Sequence, residues 1–545
     1  MSQTDELVRS ATGTSAADTG GWWRKPFSVF QTNLQEIDAT MDVEAVLDVI
    51  EAQGATTWLI NTGGISSFYP TDLPYQTRIP FLIDRPSGDL IGDAVKAAKA
   101  RGIRVLSRLD FSKVAPRIAR EHPEWLFVSP KGAPQIYNTL YSTCPSRPYY
   151  QERSLDILDE VIDRYEIDGF FFNWFDFSEM DYSRVYHGVC HCDDCHAGFA
   201  AYAGGKALPD GPGHPHYSEW LAFADEVATT LCAKIATHIS NRRADAALVL
   251  KRGAPIVYYE ANNAFGREPW HHNTSENVSA HMTGLPEVSL LVNSVSFVDM
   301  PYRMSGEQPE MFAQYLLQAI ARGGNPSTYI MGAPGRIPYA NLPEAARIEG
   351  FHRDHHDVYT GLQPASNIAL VRPNPVRRAD PTYARSVSEY RGLYSGLVEA
   401  NLPFDTLSEE FLTKIAVEGR LDAYQMVILP DRHRGGRCAG WLRSGGRPCR
   451  ADRQQRHHRR GRGRAGNRSR RHACWRTDDR CRALVHLCHR CGAGRGKCLR
   501  LPAQRGAGLR QLCPSRLETA RGKAGPARAP GALRSAGEML WPRAK

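Results

Sequence analysis

Three cysteines lie within six residues at Cys190, Cys192 and Cys195, with His191 inside the cluster and His196 directly after it. Thiolates that close suit tetrahedral zinc, which takes four ligands and binds sulfur at about 2.3 Å. The fourth must come from elsewhere: Cys144 is the first candidate, with His191 or His196 as substitutes. A closed set of four would be structural, since a catalytic zinc keeps one position open. Free thiols in a reducing compartment explain the same spacing without a metal.

A second set is rich in carboxylates and amides. Glu260 ends the apolar run PIVYYE and is followed by Asn262 and Asn263. Arg108 and Asp110 close IRVLSRLD, with Lys113 beyond, and Asn173, Trp174, Asp176 and Glu179 crowd the end of GFFFNWF. Gln31, Asn33, Glu36 and Asn61 close two earlier runs, while Asp299 and Arg303 follow a later one. Hydrolysis of a glycosidic bond needs two carboxyl groups flanking it, one protonated and one ionised. Glu260 as proton donor, with Asp110 or Asp176 as its partner, would form such a pair. Asn33, Asn61, Arg108, Asn173, Trp174, Asn262, Asp299 and Arg303 would then bind the sugar. Phe68, Tyr69, Tyr75, Tyr141, Trp174 and Trp270 are the aromatics near these ends that could stack on it. A salt bridge, helix cap or solvated loop accounts for any single carboxylate as simply.

These groups act together only if a scaffold aligns the ends of the runs that carry them. Strands are expected at 28–35, 56–61, 103–109, 169–175, 246–251, 255–260, 290–297 and 326–331. Helices are expected after Asp42 (Val43, Val46, Leu47 and Ile50 at helical spacing, closed by Gly54), at 89–102, 151–165 and 309–322. Eight apolar strands with interleaved helices in about 320 residues favour a closed (β/α)8 TIM barrel over an open sheet, and catalytic groups of such a barrel project from the C-terminal strand ends. No Gly-rich dinucleotide fingerprint follows the first strand. A further strand–helix–strand series at 367–373, 390–402 and 424–431 opens a flavodoxin-like domain. The expected domains are thus a disordered leader over 1–21, the barrel over 22–350, the second α/β domain over 365–431, and a tail over 432–545.

The motifs QTNLQEIDATMDVEAVLD, NTGGISSFYPTDLPY, RLDFSK, HPEW, YNTLYSTCP, YEIDGFFFN and GVCHCDDCHAGF occur in that order. As an ordered series they resemble the family called hypothetical glycosyl hydrolase 6, which is similar to the family 42 β-galactosidases. The resemblance spans about 25–430 and implies a barrel followed by a β-galactosidase trimerisation-like domain, with glycoside hydrolysis as the reaction. It also implies a homo-oligomer and a structural zinc held by a cysteine cluster like this one; no organic cofactor is expected. The family 42 catalytic pair does not transfer: the fourth strand ends Asn173-Trp174 rather than Asn-Glu, and Asp299 has no glutamate beside it. A non-catalytic carbohydrate-binding barrel, or a metal-dependent hydrolase using the Cys/His cluster, therefore stays open as an alternative.

Charge divides the chain sharply. From Asp431 onward there are 28 Arg and 3 Lys against 6 acidic residues, which leaves 37 basic and 52 acidic residues before it. An acidic body argues against nucleic acid as partner, and the absence of a signal-like or 18-residue apolar stretch points to a cytoplasmic protein with no membrane span. The segment after Asp431 contains no Ile, Phe or Tyr and one Val, Val485, and holds eight of the 13 cysteines. It begins in the middle of a half-built sheet. The expectation is a reading-frame slip near codon 431 and a disordered tail; the oligomer implied by the resemblance is then in doubt.

Overall fold

The computed structural model describes residues 21–173, 175–250, 252–263, 268–375 and 382–430. The expected leader (except for its last residue, Gly21), the whole expected tail and Trp174 lie outside the described residues.

Eight parallel strands close into a barrel in sequence order, β1 (Val29–Asn33), β2 (Thr57–Gly64), β3 (Arg104–Asp110), β4 (Gly169–Asn173), β5 (Ala247–Leu250), β6 (Ile256–Ala261), β7 (Ser289–Val295) and β8 (Asn325–Met331), with β8 pairing back onto β1. The helices around it are α1 (Val43–Gln53), α2 (Leu90–Ala100), α3 (Ser154–Arg164), α4 (Asp193–Tyr202), α5 (Tyr217–Arg242), α6 (Asn273–Gly284), α7 (Pro309–Ile320) and α8 (Leu342–Asp354). Local sequence explains their limits. The Asp42 carboxylate accepts from the Glu44 and Ala45 amides to start α1, and Gly54 ends it at φ +82°, where its Cα faces the α8 backbone at Gly350.

Alternation of side chains along each strand divides the core in two. Val29, Leu59, Leu106, Phe171, Ala247, Val249, Ile256 and Leu291 fill the barrel interior, plugged from below by Trp23 and Phe27. Their neighbours in sequence, such as Phe30, Trp58, Ile60, Val105, Phe170, Phe172 and Leu248, pack outward with residues of α1, α2 and α3. With both faces buried, the strands read as continuous apolar runs, as a parallel sheet demands.

The barrel departs from strict alternation at one place: β5 is four residues long and no helix separates it from β6 among the described residues. A small antiparallel sheet of residues 113–114, 140–142 and 136–137 sits beyond β3. The second unit has β9 (Ile368–Arg372), β10 (Asp405–Ser408) and β11 (Met426–Ile428) in the parallel order β10-β9-β11, with α9 (Tyr383–Glu399) as crossover. That 2-1-3 order is the opening of a flavodoxin-like sheet. It docks on α6, where the Thr406 amide donates to Ser279 Oγ (2.9 Å) and the Thr283 hydroxyl donates to the Thr406 carbonyl (2.7 Å). The sequence reading began the α9 helix at 390 and had no element for β10, whose DTLS is short and carries one large apolar side chain.

Candidate active site

Register determines which side chains reach the barrel mouth. Counting in twos from the interior residues Ile256, Leu106 and Phe171 leads to Tyr258 and Glu260 on β6, Arg108 and Asp110 on β3, and Asn173 on β4, so all five have inward parity. Glu260 accepts from Asn262 Nδ2 at 3.1 Å. Below it, Asn293 donates to Gln31 (2.8 Å) and accepts from Ser327 (2.9 Å), forming a polar layer between the apolar plug and the mouth.

Asp110 is the most heavily tied carboxylate. It accepts from the Ser112 amide (3.0 Å), the Ser112 hydroxyl (2.6 Å) and Asn173 Nδ2 (2.7 Å), and Arg108 stands 3.9 Å away. Gly64, at φ +100° on the adjacent end of β2, leaves no room for a side chain, since a Cβ would collide with the Asp110 carbonyl. Gln76 holds the Gly64 amide at 2.9 Å and Tyr149 donates to its carbonyl at 3.0 Å. Asn33 and Asn61 join the same rim: Asn61 donates to Asn33 (3.2 Å), which donates to the Tyr329 hydroxyl (2.8 Å).

Shared electrostatic neighbours tie the wall together. Burial pushes the Tyr258 phenol up; Glu260 and Asp176 add to the rise and Arg108 opposes it. Tyr329 is likewise raised by burial, opposed by Arg108 and Arg303 and reinforced by Glu260. Tyr150 is raised by burial, with Asp110 and Asp176 adding to the effect. The structure thus gathers Glu260, Asp110, Asp176, Arg108 and Arg303 around a few buried tyrosines.

Other expected site residues have contacts of their own. Asp176, on the loop after β4, pairs with Arg252 at 3.4 Å. Asp299 caps a short 3-10 turn by accepting from the Met300 amide. Glu179 is a loop anchor, accepting from Trp220 (2.7 Å), Tyr186 (2.8 Å) and Tyr217 (2.9 Å). Four of the expected stacking aromatics are corrected. Tyr69 and Tyr75 face α3, donating to Glu160 and Asp156 at 2.8 Å each; Phe68 is buried in the outer core; and Trp270 packs on Tyr394 of α9. Phe68, Tyr69 and Tyr75 pack between strands and helices, and the two tyrosines meet their partners through the hydroxyl. Tyr141 lies in the small sheet beyond β3. Ser112, Gly64, Tyr258 and Tyr329 escaped the sequence reading, although Tyr258 was signalled by its i−2 spacing from Glu260.

Cys144, Cys190, Cys192 and Cys195 converge. Their sulfurs all lie within 4.8 Å of one another, with Cys144 3.5 Å from Cys195 and 3.7 Å from Cys192. All four are buried among Phe127, Val189, Phe199 and Trp220. Tetrahedral bonds of about 2.3 Å put sulfurs about 3.8 Å apart, so the donor set fits a metal of zinc type. Neither histidine is needed as a substitute: His191 contacts the Pro209 carbonyl at 3.2 Å and Asp210 at 3.4 Å.

Residues 42–174 match the family described as hypothetical glycosyl hydrolase 6. This is the family that the ordered motifs resemble. No match was found among curated proteins. Among solved structures, the chain is similar to α-L-fucosidase isoenzyme 2 from Paenibacillus thiaminolyticus (TM-score 0.57, 15% identity, 75% of this chain and 60% of that one). It is also similar to a β-galactosidase from Bacillus circulans sp. alkalophilus (TM-score 0.55, 14% identity, 74% of this chain and 67% of that one). A catalytic mutant of a GH42 β-galactosidase from G. stearothermophilus compares alike (TM-score 0.54, 12% identity, 74% of this chain and 67% of that one). The chain thus spans 60% of the fucosidase's length. At these identities the likeness is one of fold, a TIM barrel shared with glycoside hydrolases. Among the described residues, no helix is long and apolar enough to cross a membrane.

Proposed function

We propose that this chain hydrolyses a glycosidic bond at the C-terminal mouth of its barrel. The observation that carries the reading is the common inward parity of Glu260, Asp110 and Asn173 at the strand ends. Glu260 is the proton donor to the leaving oxygen. Asp110, fixed in orientation by Ser112 and Asn173, is its partner carboxylate. The glycosidic C–O bond breaks, the oxygen of water joins the anomeric carbon, and the leaving alcohol takes its proton from Glu260, which water restores. Asn33, Asn61, Arg108, Asn173, Asn262 and Arg303 supply the donors and acceptors that hold the ring. Asp176 is the second candidate for the partner role, favoured by its approach to Tyr258 alongside Glu260.

The four cysteines hold a structural zinc in this reading. A zinc held by four thiolates would have no open coordination position, so it would tie Cys144, after β3, to the start of α4 and supply no catalytic group. This argues against the metal-dependent hydrolase alternative.

A panel of aryl glycosides tests the assignment. Hydrolysis by the wild-type chain should fall at least about 100-fold in kcat/KM in Glu260→Gln, the size expected for loss of a general acid. Asp110→Asn should fall comparably, and more than Asp176→Asn. A wild-type protein that binds sugars without turning any over would overturn the enzyme reading in favour of a binding barrel.

A further inference from the structure

Three cations at the mouth have few partners among the described residues. Arg108 is buried, and among the described residues its Nε has no hydrogen-bond partner and its only carboxylate contact is the 3.9 Å approach to Asp110, whose oxygens Ser112 and Asn173 already occupy. Lys113, half-buried at the start of the small sheet, donates to the Ser112 hydroxyl at 3.3 Å. Arg303 donates from Nε to the Met300 carbonyl (2.9 Å) and lies over the Tyr182 ring (5.7 Å). Among the described residues neither Lys113 nor Arg303 forms an ion pair. Asp181, the other acid whose field reaches Lys113, is engaged by His187 at 2.9 Å.

These three cations lie near one another. Lys113 is held below its ordinary value by burial; Asp110, the strongest charge acting on it, and Asp181 oppose this, while Arg303 and Arg108 add to it. Arg108 and Arg303 also act together on Tyr329, beside Glu260. Burying like charges side by side with donors unused is costly unless an anion completes the set. A neutral sugar offers hydroxyls, which do not neutralise the cluster. A planar carboxylate suits the fork of a guanidinium and the point charge of an ammonium.

We propose that the substrate sugar is a uronic acid, its carboxylate seated between Arg108, Lys113 and Arg303 while its glycosidic bond meets Glu260. The proposal rests on the glycoside-hydrolase reading for its chemistry, although the anion seat can be tested without turnover. Two assays separate them. Calorimetric titration with D-glucuronate, D-galacturonate, D-galactose and inorganic sulfate measures the seat, and p-nitrophenyl uronides and galactosides measure hydrolysis. Arg303→Gln and Lys113→Gln are the variants, both at half-buried positions that the core does not depend on. A uronate should bind more tightly than galactose, and each variant should weaken it about 10- to 100-fold, the worth of a charge-assisted hydrogen bond. Uronide turnover lost in parallel supports both readings. Uronate binding that the variants weaken, with no glycoside hydrolysed, supports the seat while the hydrolase reading fails. Galactosides hydrolysed equally by all three proteins, without uronate binding, overturn the proposal and leave the hydrolase reading standing. Sulfate binding in place of uronate overturns the carboxylate in favour of a sulfated sugar.

Discussion

Asp110 illustrates how much one residue's setting adds to its type. As a strand-end carboxylate it was legible in the sequence, together with Glu260 and Asn173, because parity and the C-terminal strand end follow from the apolar runs alone. Its three hydrogen bonds and the bare Gly64 beside it were not, since they depend on a β2–β3 register with an irregularity between Asn61 and Gly63. Tyr69 and Tyr75 depart from the stacking expectation for the complementary reason: a tyrosine near a strand end serves equally as a wedge between strand and helix. The cysteines were legible as a trio from spacing, whereas the approach of Cys144 depends on the fold. Purified protein should contain about one zinc per chain. Cys192→Ser should lose the metal and lower the melting temperature by several degrees, as loss of a buried ligand predicts. Retention of full zinc by Cys192→Ser would sink the four-cysteine assignment.

Among the elements, α8 carries the clearest pH signature. Glu349 is fully buried against β8, accepts from the Thr328 hydroxyl at 2.7 Å, and is pushed up to about 8 by burial. Unfolded, the same carboxyl loses its proton near 4.5. Between those values the unfolded chain binds fewer protons than the folded one, so stability should fall as pH rises from 4.5 towards 8 and then level off. The loss is on the order of 5 kcal/mol. One turn along, burial and His356 hold His352 down at about 4, against 6.5 when free, so stability should also fall as pH drops from 6.5 towards 4. Urea midpoints across this range should show both arms in the wild type. Glu349→Gln should flatten the alkaline arm and keep the acid one; identical profiles would show that the carboxyl is not the cause. The strands and α1, α2, α3 and α7 were legible because their apolar spacing is regular. The elements missed include α4, α5, α6 and α8; α5 does carry an apolar stripe, with Trp220, Phe223, Leu231, Ile235 and Ile239 buried, whereas α6 and α8 mix small, polar and titratable residues on their inner faces. Thr274, Ser275, Glu276, Ser279 and His281 of α6 are all buried, and such a face lacks the apolar stripe by which a helix is recognised.

At the scale of the molecule, the acidic body and the arginine-rich segment beyond Asp431 obey different compositional rules, while β9, β10 and β11 begin a sheet of the sort that normally continues. We expect the coding DNA, shifted in frame near codon 431, to restore apolar strands and helices; early stop codons in both other frames would make the segment genuine. The barrel does not depend on that outcome, because its last strand is complete at Met331 and α8 ends at Asp354. Closure has a different consequence, in time rather than space. β1 pairs with β8, whose register joins Val29 to Ser327, so the first strand made must wait for the last. At about 5–20 residues per second, the ribosome needs roughly 15–60 s to span that interval. Throughout it the nascent sheet presents an open edge at β1, with its backbone donors and acceptors available to any other extended chain. Low expression temperature and chaperones that shield such edges should therefore raise the yield of folded protein far more than any change made after Asp431.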